Sequence, residues 1–92
     1  MTVQRIHAIV SGRVQGVGFR YQAKMNAEMK GLSGWVRNKR NGDVELEVQG
    51  DRETISSFFD SLYELRFPAK IKQIEKTEKE PVPNEEQFII YH

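Results

Sequence analysis

Nine residues, Gly12-Arg13-Val14-Gln15-Gly16-Val17-Gly18-Phe19-Arg20, carry the residue types from which an anion site is made: three glycines and two arginines between an alternating apolar run and a helix-forming segment. Glycine lets the backbone take positive φ and brings its N–H groups close to a ligand, because no Cβ stands in the way. A helix that opens at the end of such a loop adds unpaired N–H groups and a partial positive charge, so phosphate is the natural guest. Arg20 falls where that helix should begin. A cation there opposes the helix dipole by about 0.3 to 1 kcal/mol, and a bound anion reverses the penalty. The guanidinium also offers a planar fork of donors that grips two phosphate oxygens.

The spacing excludes the larger phosphate ligands. No Gly-Lys-Ser or Gly-Lys-Thr follows the glycines, so a magnesium nucleotide site is not expected. The dinucleotide fingerprint fails too, since the residue three beyond Gly18 is Tyr21 rather than glycine or alanine. Something smaller than a nucleotide is indicated. Other chemistry-bearing residues have plainer readings. His7 and His92 lack partners at metal-ligand spacing and read as a solvent-facing strand histidine and a chain terminus. Trp35 reads as packing, Arg13 and Arg37 as solvated charges, and Glu45 and Glu47 as a wet sheet face rather than a paired acid and base. No metal site is expected.

The elements that must position these residues follow from hydrophobic period and turn chemistry. Residues 3–11 alternate as a strand, with Ile6, Ala8 and Val10 on one face and Arg5, His7 and Ser11 on the other. Phe19 to Lys30 forms a helix with two competing apolar stripes, Phe19-Ala23-Ala27 and Tyr21-Met25-Met29, and Gly31 stops it. Leu32 to Lys39 is a second strand, and Asn41-Gly42 predicts a type I′ hairpin turn into a third. In that third strand Val44, Leu46 and Val48 alternate with Asp43, Glu45 and Glu47. Asp51 is the expected N-cap of a second helix that buries Ile55, Phe58, Phe59 and Leu62. Pro68 fixes its exit. A fourth strand begins at Ala69, Ile71 and Ile74 with a one-residue slip that predicts a bulge, and Glu75 to Glu80 continue it as a charged, solvated run. Pro81-Val82-Pro83 turn the chain into a short last strand, Gln87 to Tyr91, with Phe88 and Ile90 on one face.

This order predicts an α+β fold, a ferredoxin-like α/β sandwich of β-α-β-β-α-β plus a short final strand, with a mixed, mostly antiparallel sheet and two helices on one face. The first and second strands would then be parallel, joined by a right-handed crossover, with the third between them. Their carboxyl ends, Gly12 and Asn38, would share one sheet edge roughly 10 Å apart at two strand spacings. Asn38 is therefore within reach of the loop's ligand.

A chain of 92 residues with 38% apolar content supports one core, so a single domain over 1–92 is expected. It contains no cysteine, which removes disulfides, thiol catalysis and thiolate metal sites together. Gln4, Arg5 and His7 interrupt any apolar leader after Met1, and no run approaches membrane-spanning length, so a cytoplasmic location is expected. A formal net charge of only +1 provides no long-range field to gather nucleic acid or anionic lipid, and neither is an expected partner. The expected state is a monomer.

The nine-residue stretch, followed by Gly34-Trp35-Val36-Arg37-Asn38, resembles the acylphosphatases, and the likeness extends over essentially the whole chain. Asn41-Gly42 with Val44, Glu45 and Gly50 is similar to that family's hairpin, and Phe88 with Tyr91 to its end; Arg66-Phe67-Pro68 departs from the glycine-proline turn common there. The resemblance implies hydrolysis of a carboxyl-phosphate anhydride to a carboxylate and inorganic phosphate, with no cofactor and no metal. It places Arg20 and the backbone N–H groups of Gln15, Gly16, Val17, Gly18, Phe19 and Arg20 on the phosphate, and Asn38 on the attacking water. Such a substrate has a good leaving group, so positioning and electrostatic stabilisation suffice. A carboxamide is no strong base, which leaves the substrate's own phosphate oxygen as the expected proton acceptor. Two rival functions share these features. An RNA-binding module can use this fold, but Asp43, Glu45 and Glu47 stand where stacking aromatics would be needed. An acylphosphatase-like module of a carbamoyl-transferring maturation enzyme would need a separate partner chain.

Overall fold

Alternating apolar residues set the sheet, and the computed structural model describes residues 2–16, 18–65 and 70–92. Chain order is β1 (Val3–Arg13), α1 (Phe19–Met29), β2 (Ser33–Asn38), β3 (Val44–Asp51), α2 (Arg52–Tyr63), β4 (Lys70–Lys79) and β5 (Phe88–Ile90). The sheet runs β4-β1-β3-β2-β5, with β3 antiparallel to both β1 and β2 and β5 parallel to β2. The expected ferredoxin-like α+β arrangement is present. Val10 of β1 and Asn38 of β2 both pair with Val44, so the carboxyl ends of the two parallel strands lie level at one end of the sheet.

One sheet face is apolar, and both helices pack on it. Ala8, Val10, Val36, Val44, Leu46 and Val48 are fully buried against Phe19, Ala23 and Ala27 of α1 and Ile55, Phe58, Phe59 and Leu62 of α2. Each large side chain among them contributes about 1.5 to 3 kcal/mol. The choice between the two stripes of α1 is made by size, because alanines let the helix axis approach the sheet. Tyr21, Met25 and Met29 are left on the outer face, exposed. Asp51 caps α2 as expected, its Oδ2 accepting from the Glu53 N–H at 3.2 Å. The expected bulge is also there: Ser11 pairs with Gln73 but Gly12 with Ile71, so β4 carries one extra residue. The expected exit turn at Pro68, the start of the fourth strand at Ala69 and the departure at Arg66-Phe67-Pro68 lie outside the described residues.

Two expectations are corrected. The β2–β3 connection is not a type I′ turn, because Asn41 does not take positive φ. The Gly42 N–H instead donates to the Lys39 carbonyl at 3.3 Å, with Gly42 itself left-handed at φ 98°, which is a three-residue loop closed by a glycine bulge. Asn41 serves through its side chain, its Oδ1 accepting from the Asp43 N–H at 3.1 Å. The second correction concerns the sheet face opposite the helices, which is covered at one end and internally paired along its length.

Arg5 is only 2% exposed there. It donates to Glu47 at 2.5 Å, to Gln49 at 3.0 Å and to Glu85 at 2.7 Å, and the Ser33 hydroxyl donates to Glu85 at 2.9 Å. Gln49 in turn makes two hydrogen bonds with the backbone of Val82, at 2.9 and 2.7 Å. These contacts pin the segment that carries the chain from edge strand β4 to the opposite edge. Further along the face, His7 is half-buried, not solvent-facing, and shares Glu45 with Arg37 at 2.6 and 2.7 Å.

Burial alone would push the Glu45 carboxyl up, but hydrogen bonds from His7 and Arg37, reinforced by charge, outweigh it and hold the group below the ordinary carboxylate value. A carboxylate with a lower pKa folded than unfolded stabilises the fold fully above its unfolded value and loses that contribution as pH falls through the folded one. The stability difference between wild type and Glu45→Gln, followed by urea unfolding, is expected to stay constant from neutral pH to about pH 5 and to narrow below about pH 4. A difference independent of pH would show that Glu45 contributes by shape alone.

Candidate active site

The loop between β1 and α1 is held at both ends by the core. Val14 and Phe19 are each 1% exposed, so their side chains anchor the segment while Gln15, Gly16 and Gly18 stay at the surface. Gly16 and Gly18 take left-handed conformations, φ 72° and 79°, and a Cβ on either would meet nothing within 4 Å. Glycine is needed there for its dihedral freedom, not for room. Gly12 differs. It belongs to β1 beside the bulge, and a Cβ on it would overlap the Lys70 carbonyl oxygen, so its role is in the sheet rather than in the phosphate loop.

Gly18 is also the N-cap of α1, without a side chain that can cap it, and no acidic residue occupies the first turn. The first-turn N–H groups, which no helix can satisfy from within, are left facing the loop. Into this turn falls Arg20, half-buried, whose Nη1 donates to the Tyr91 carbonyl oxygen at 3.0 Å. That bond holds the guanidinium by one nitrogen and, among the described residues, leaves the other donors of the fork available.

Gln15 fastens the loop to the neighbouring hairpin. Its Nε2 donates to the carbonyl oxygens of Lys39 and Asp43 at 2.6 and 2.7 Å, just beyond the end of β2. Asn38, the last residue of β2, is half-buried, and its Oδ1 is buried without a hydrogen-bond partner among the described residues. A buried carbonyl oxygen in that state calls for a donor, since its desolvation is otherwise uncompensated.

Asn38 lines a depression of about 160 Å³ together with Val14, Gly16, Gly18, Phe19, Arg20, Tyr21, Ile90 and His92. The structure therefore brings together Gly16, Gly18, Phe19, Arg20 and Asn38 of the expected site; the side chain of Gln15 turns away into the hairpin, and Val17 lies outside the described residues. The contributions of Gln15's amide, Tyr91's carbonyl and His92's position escaped the sequence reading. Tyr91 acts through its backbone, which no side chain reports, and His92 reaches the site only because β5 lies against β2. Among the described residues no group of three or more His, Cys, Asp or Glu could hold a metal ion. The depression is lined by Arg20, by two glycines of the loop and by Asn38, the residue whose Oδ1 lacks a partner among the described residues.

Comparison with known proteins agrees with that chemistry. The acylphosphatase family model matches residues 6–90. The chain is 39% identical to an acylphosphatase of Geobacillus thermodenitrificans (strain NG80-2), covering 98% of this chain and 96% of that one. Its fold matches the crystal structure of acylphosphatase from Bacillus subtilis with a TM-score of 0.91 and 34% identity, over 99% of this chain and 100% of that one. A likeness of TM-score 0.85 and 36% identity also links 97% of this chain to 12% of T. kodakarensis HypF. By family match, by identity over its length and by fold, this chain belongs to the acylphosphatase family.

Proposed function

We propose that the phosphate of an acyl phosphate seats on the backbone N–H groups of residues 15–20 and on Arg20, and that Asn38 orients the water that attacks it. The chain is a hydrolase of acyl phosphates. In the proposed step the water oxygen bonds to phosphorus, the bond between phosphorus and the acyl oxygen breaks, and a carboxylate and inorganic phosphate leave. The observation that carries this reading is that Asn38, whose Oδ1 is buried without a hydrogen-bond partner among the described residues, lines the same small depression as Arg20 and the glycine loop.

The division of labour follows from charge. The transferring phosphoryl group spreads its charge over three equatorial oxygens, which the bare first turn of α1 and the Arg20 fork are built to neutralise. The Tyr91 carbonyl holds that fork in one orientation, so little entropy is lost when the phosphate arrives. Asn38 accepts one water hydrogen and aims the lone pair; the second proton passes to a phosphate oxygen of the substrate. Neither a metal nor a cofactor takes part in this scheme. The proposed working form is a single domain over residues 1–92, acting as a cytoplasmic monomer on a small-molecule substrate; among the described residues no helix is long and apolar enough to cross a membrane.

Hydrolysis of acetyl phosphate tests the roles. Asn38→Ala should lose about 100-fold or more in kcat while the inhibition constant of inorganic phosphate moves by less than about threefold. Arg20→Ala should weaken phosphate inhibition and lower kcat/KM together, with Arg20→Lys recovering only part. Unchanged turnover in either alanine variant removes that residue from its role. Gln15→Ala frees the loop from the hairpin and is expected to raise KM and lower kcat by about tenfold, with little change in melting temperature; wild-type kinetics would mean that the two amide bonds do not hold the loop in its working shape. If the substrate takes the proton, the pH profile of kcat has no enzyme inflection near neutrality. An inflection there that disappears in His92→Gln would assign the proton to histidine instead.

A further inference from the structure

One buried charge plays no part in the proposed hydrolysis. Arg5 is 2% exposed on the sheet face opposite the helices, and its guanidinium is shared among Glu47, Gln49 and Glu85. Glu85 meets it with both carboxylate oxygens, at 2.7 and 3.4 Å, and accepts from the Ser33 hydroxyl at 2.9 Å. Burying a cation is costly unless it is paired, and Glu47 and Glu85 supply the pairing. Glu85 belongs to the stretch 80–87, which forms neither helix nor strand and ends where β5 begins. Gln49 holds the same stretch through its two bonds to the Val82 backbone.

The last strand needs such a fastener. β5 has three residues at the sheet edge, parallel to β2, and parallel pairing is the weaker kind per residue. Its apolar pattern does not define its register, because Phe88 and Ile90 both pack toward the core. A slip of two residues would put Ile90 where Phe88 now sits, with every side chain still on its present face. The same slip would carry the Tyr91 carbonyl about 6.6 Å along the strand, away from the Arg20 Nη1 that now donates to it at 3.0 Å. Glu85, three residues before Phe88, resists it: a shift of that size withdraws its carboxylate from both Arg5 and Ser33.

We propose that Arg5 and Glu85 are positioning residues of the anion site: their ion pair fixes the register of β5 on β2, and with it the Tyr91 carbonyl that orients Arg20. The proposal rests on the assignment of Arg20 to phosphate above. Its test combines NMR titration of inorganic phosphate with acetyl phosphate kinetics, on variants whose folding is checked by circular dichroism. Glu85→Ala is expected to weaken phosphate binding about tenfold and to lower kcat/KM by a similar factor. Glu85→Gln, which can still accept from Arg5 and Ser33, is expected to stay within about threefold of wild type. In an Arg20→Ala background the Glu85→Ala change is expected to move phosphate binding by less than about twofold, since its effect passes through Arg20. Wild-type phosphate binding by folded Glu85→Ala, or an equal loss in both backgrounds, overturns the proposal. If Glu85→Ala does not fold, Ser33→Ala decides in its place. It removes one bond to Glu85 and is expected to weaken phosphate binding about threefold, again only when Arg20 is present; no weakening overturns the proposal. Wild-type phosphate binding by Arg20→Ala overturns the assignment of Arg20, and with it the route from the Arg5–Glu85 pair to the site.

Discussion

The first turn of α1 is an electrostatic conflict of the kind that a bound anion relieves. Its N-cap is a left-handed glycine with no side chain to offer, its first turn holds no acid, and Arg20 adds a cation at the positive end of the dipole. A missing cap costs about 0.5 to 2 kcal/mol, and the misplaced charge about 0.3 to 1 kcal/mol more. The same chain caps α2 conventionally with Asp51 and Glu53, so the bare end of α1 is local rather than a general feature of its helices. Under the proposed function, stability forgone at this turn is recovered as affinity when phosphate arrives. Val14, Phe19 and Gln15 exist in this arrangement to stop the loop from relaxing into a shape that satisfies its own N–H groups.

Holding the arginine requires the opposite end of the molecule. The Arg5 cluster on the open sheet face grips Glu85, and Gln49 grips Val82, and so the crossing segment is laid across the sheet and β5 is delivered parallel to β2. Only then does the Tyr91 carbonyl meet Arg20. Breaking a buried ion pair on one side leaves an uncompensated charge, which gives this cluster its leverage over the placement of the last strand. Arg5 and Arg20 are thus connected through the covalent chain and one strand pairing, without a continuous chain of ionised groups among the described residues.

Local patterns were the most legible part of the sequence. Asp51 with Ile55, Phe58, Phe59 and Leu62 specifies a capped amphipathic helix within one window, the alternation of β3 reports a half-buried strand, and the one-residue slip before Ile74 reports the bulge. The hairpin at Asn41-Gly42 was legible as a turn but not as its type, because the Lys39 to Asp43 pairing sets a three-residue loop that moves positive φ onto Gly42 alone. Arg5 and His7 looked solvated because their partners are far off in sequence: Glu85 is 80 residues from Arg5 and Glu45 is 38 from His7. A strand pattern records only that a face differs from the core, not what later crosses it.

By itself the sequence determined the chemical inventory of the candidate site and its rough geography. Glycines at Gly16 and Gly18, an arginine at the helix start and an asparagine ending the second strand follow from residue type and from a topology that sets two parallel strand ends side by side. Tertiary structure decided which stripe of α1 faces inward, that Gly12 belongs to the sheet, that the Gln15 amide ties loop to hairpin, and that the Tyr91 carbonyl orients Arg20. The division has a physical cause. Propensity and period act over a few residues, whereas a helix's choice of face, a buried oxygen left unpaired and a backbone carbonyl used as an acceptor arise only where distant segments meet, and backbone groups are the same in every residue.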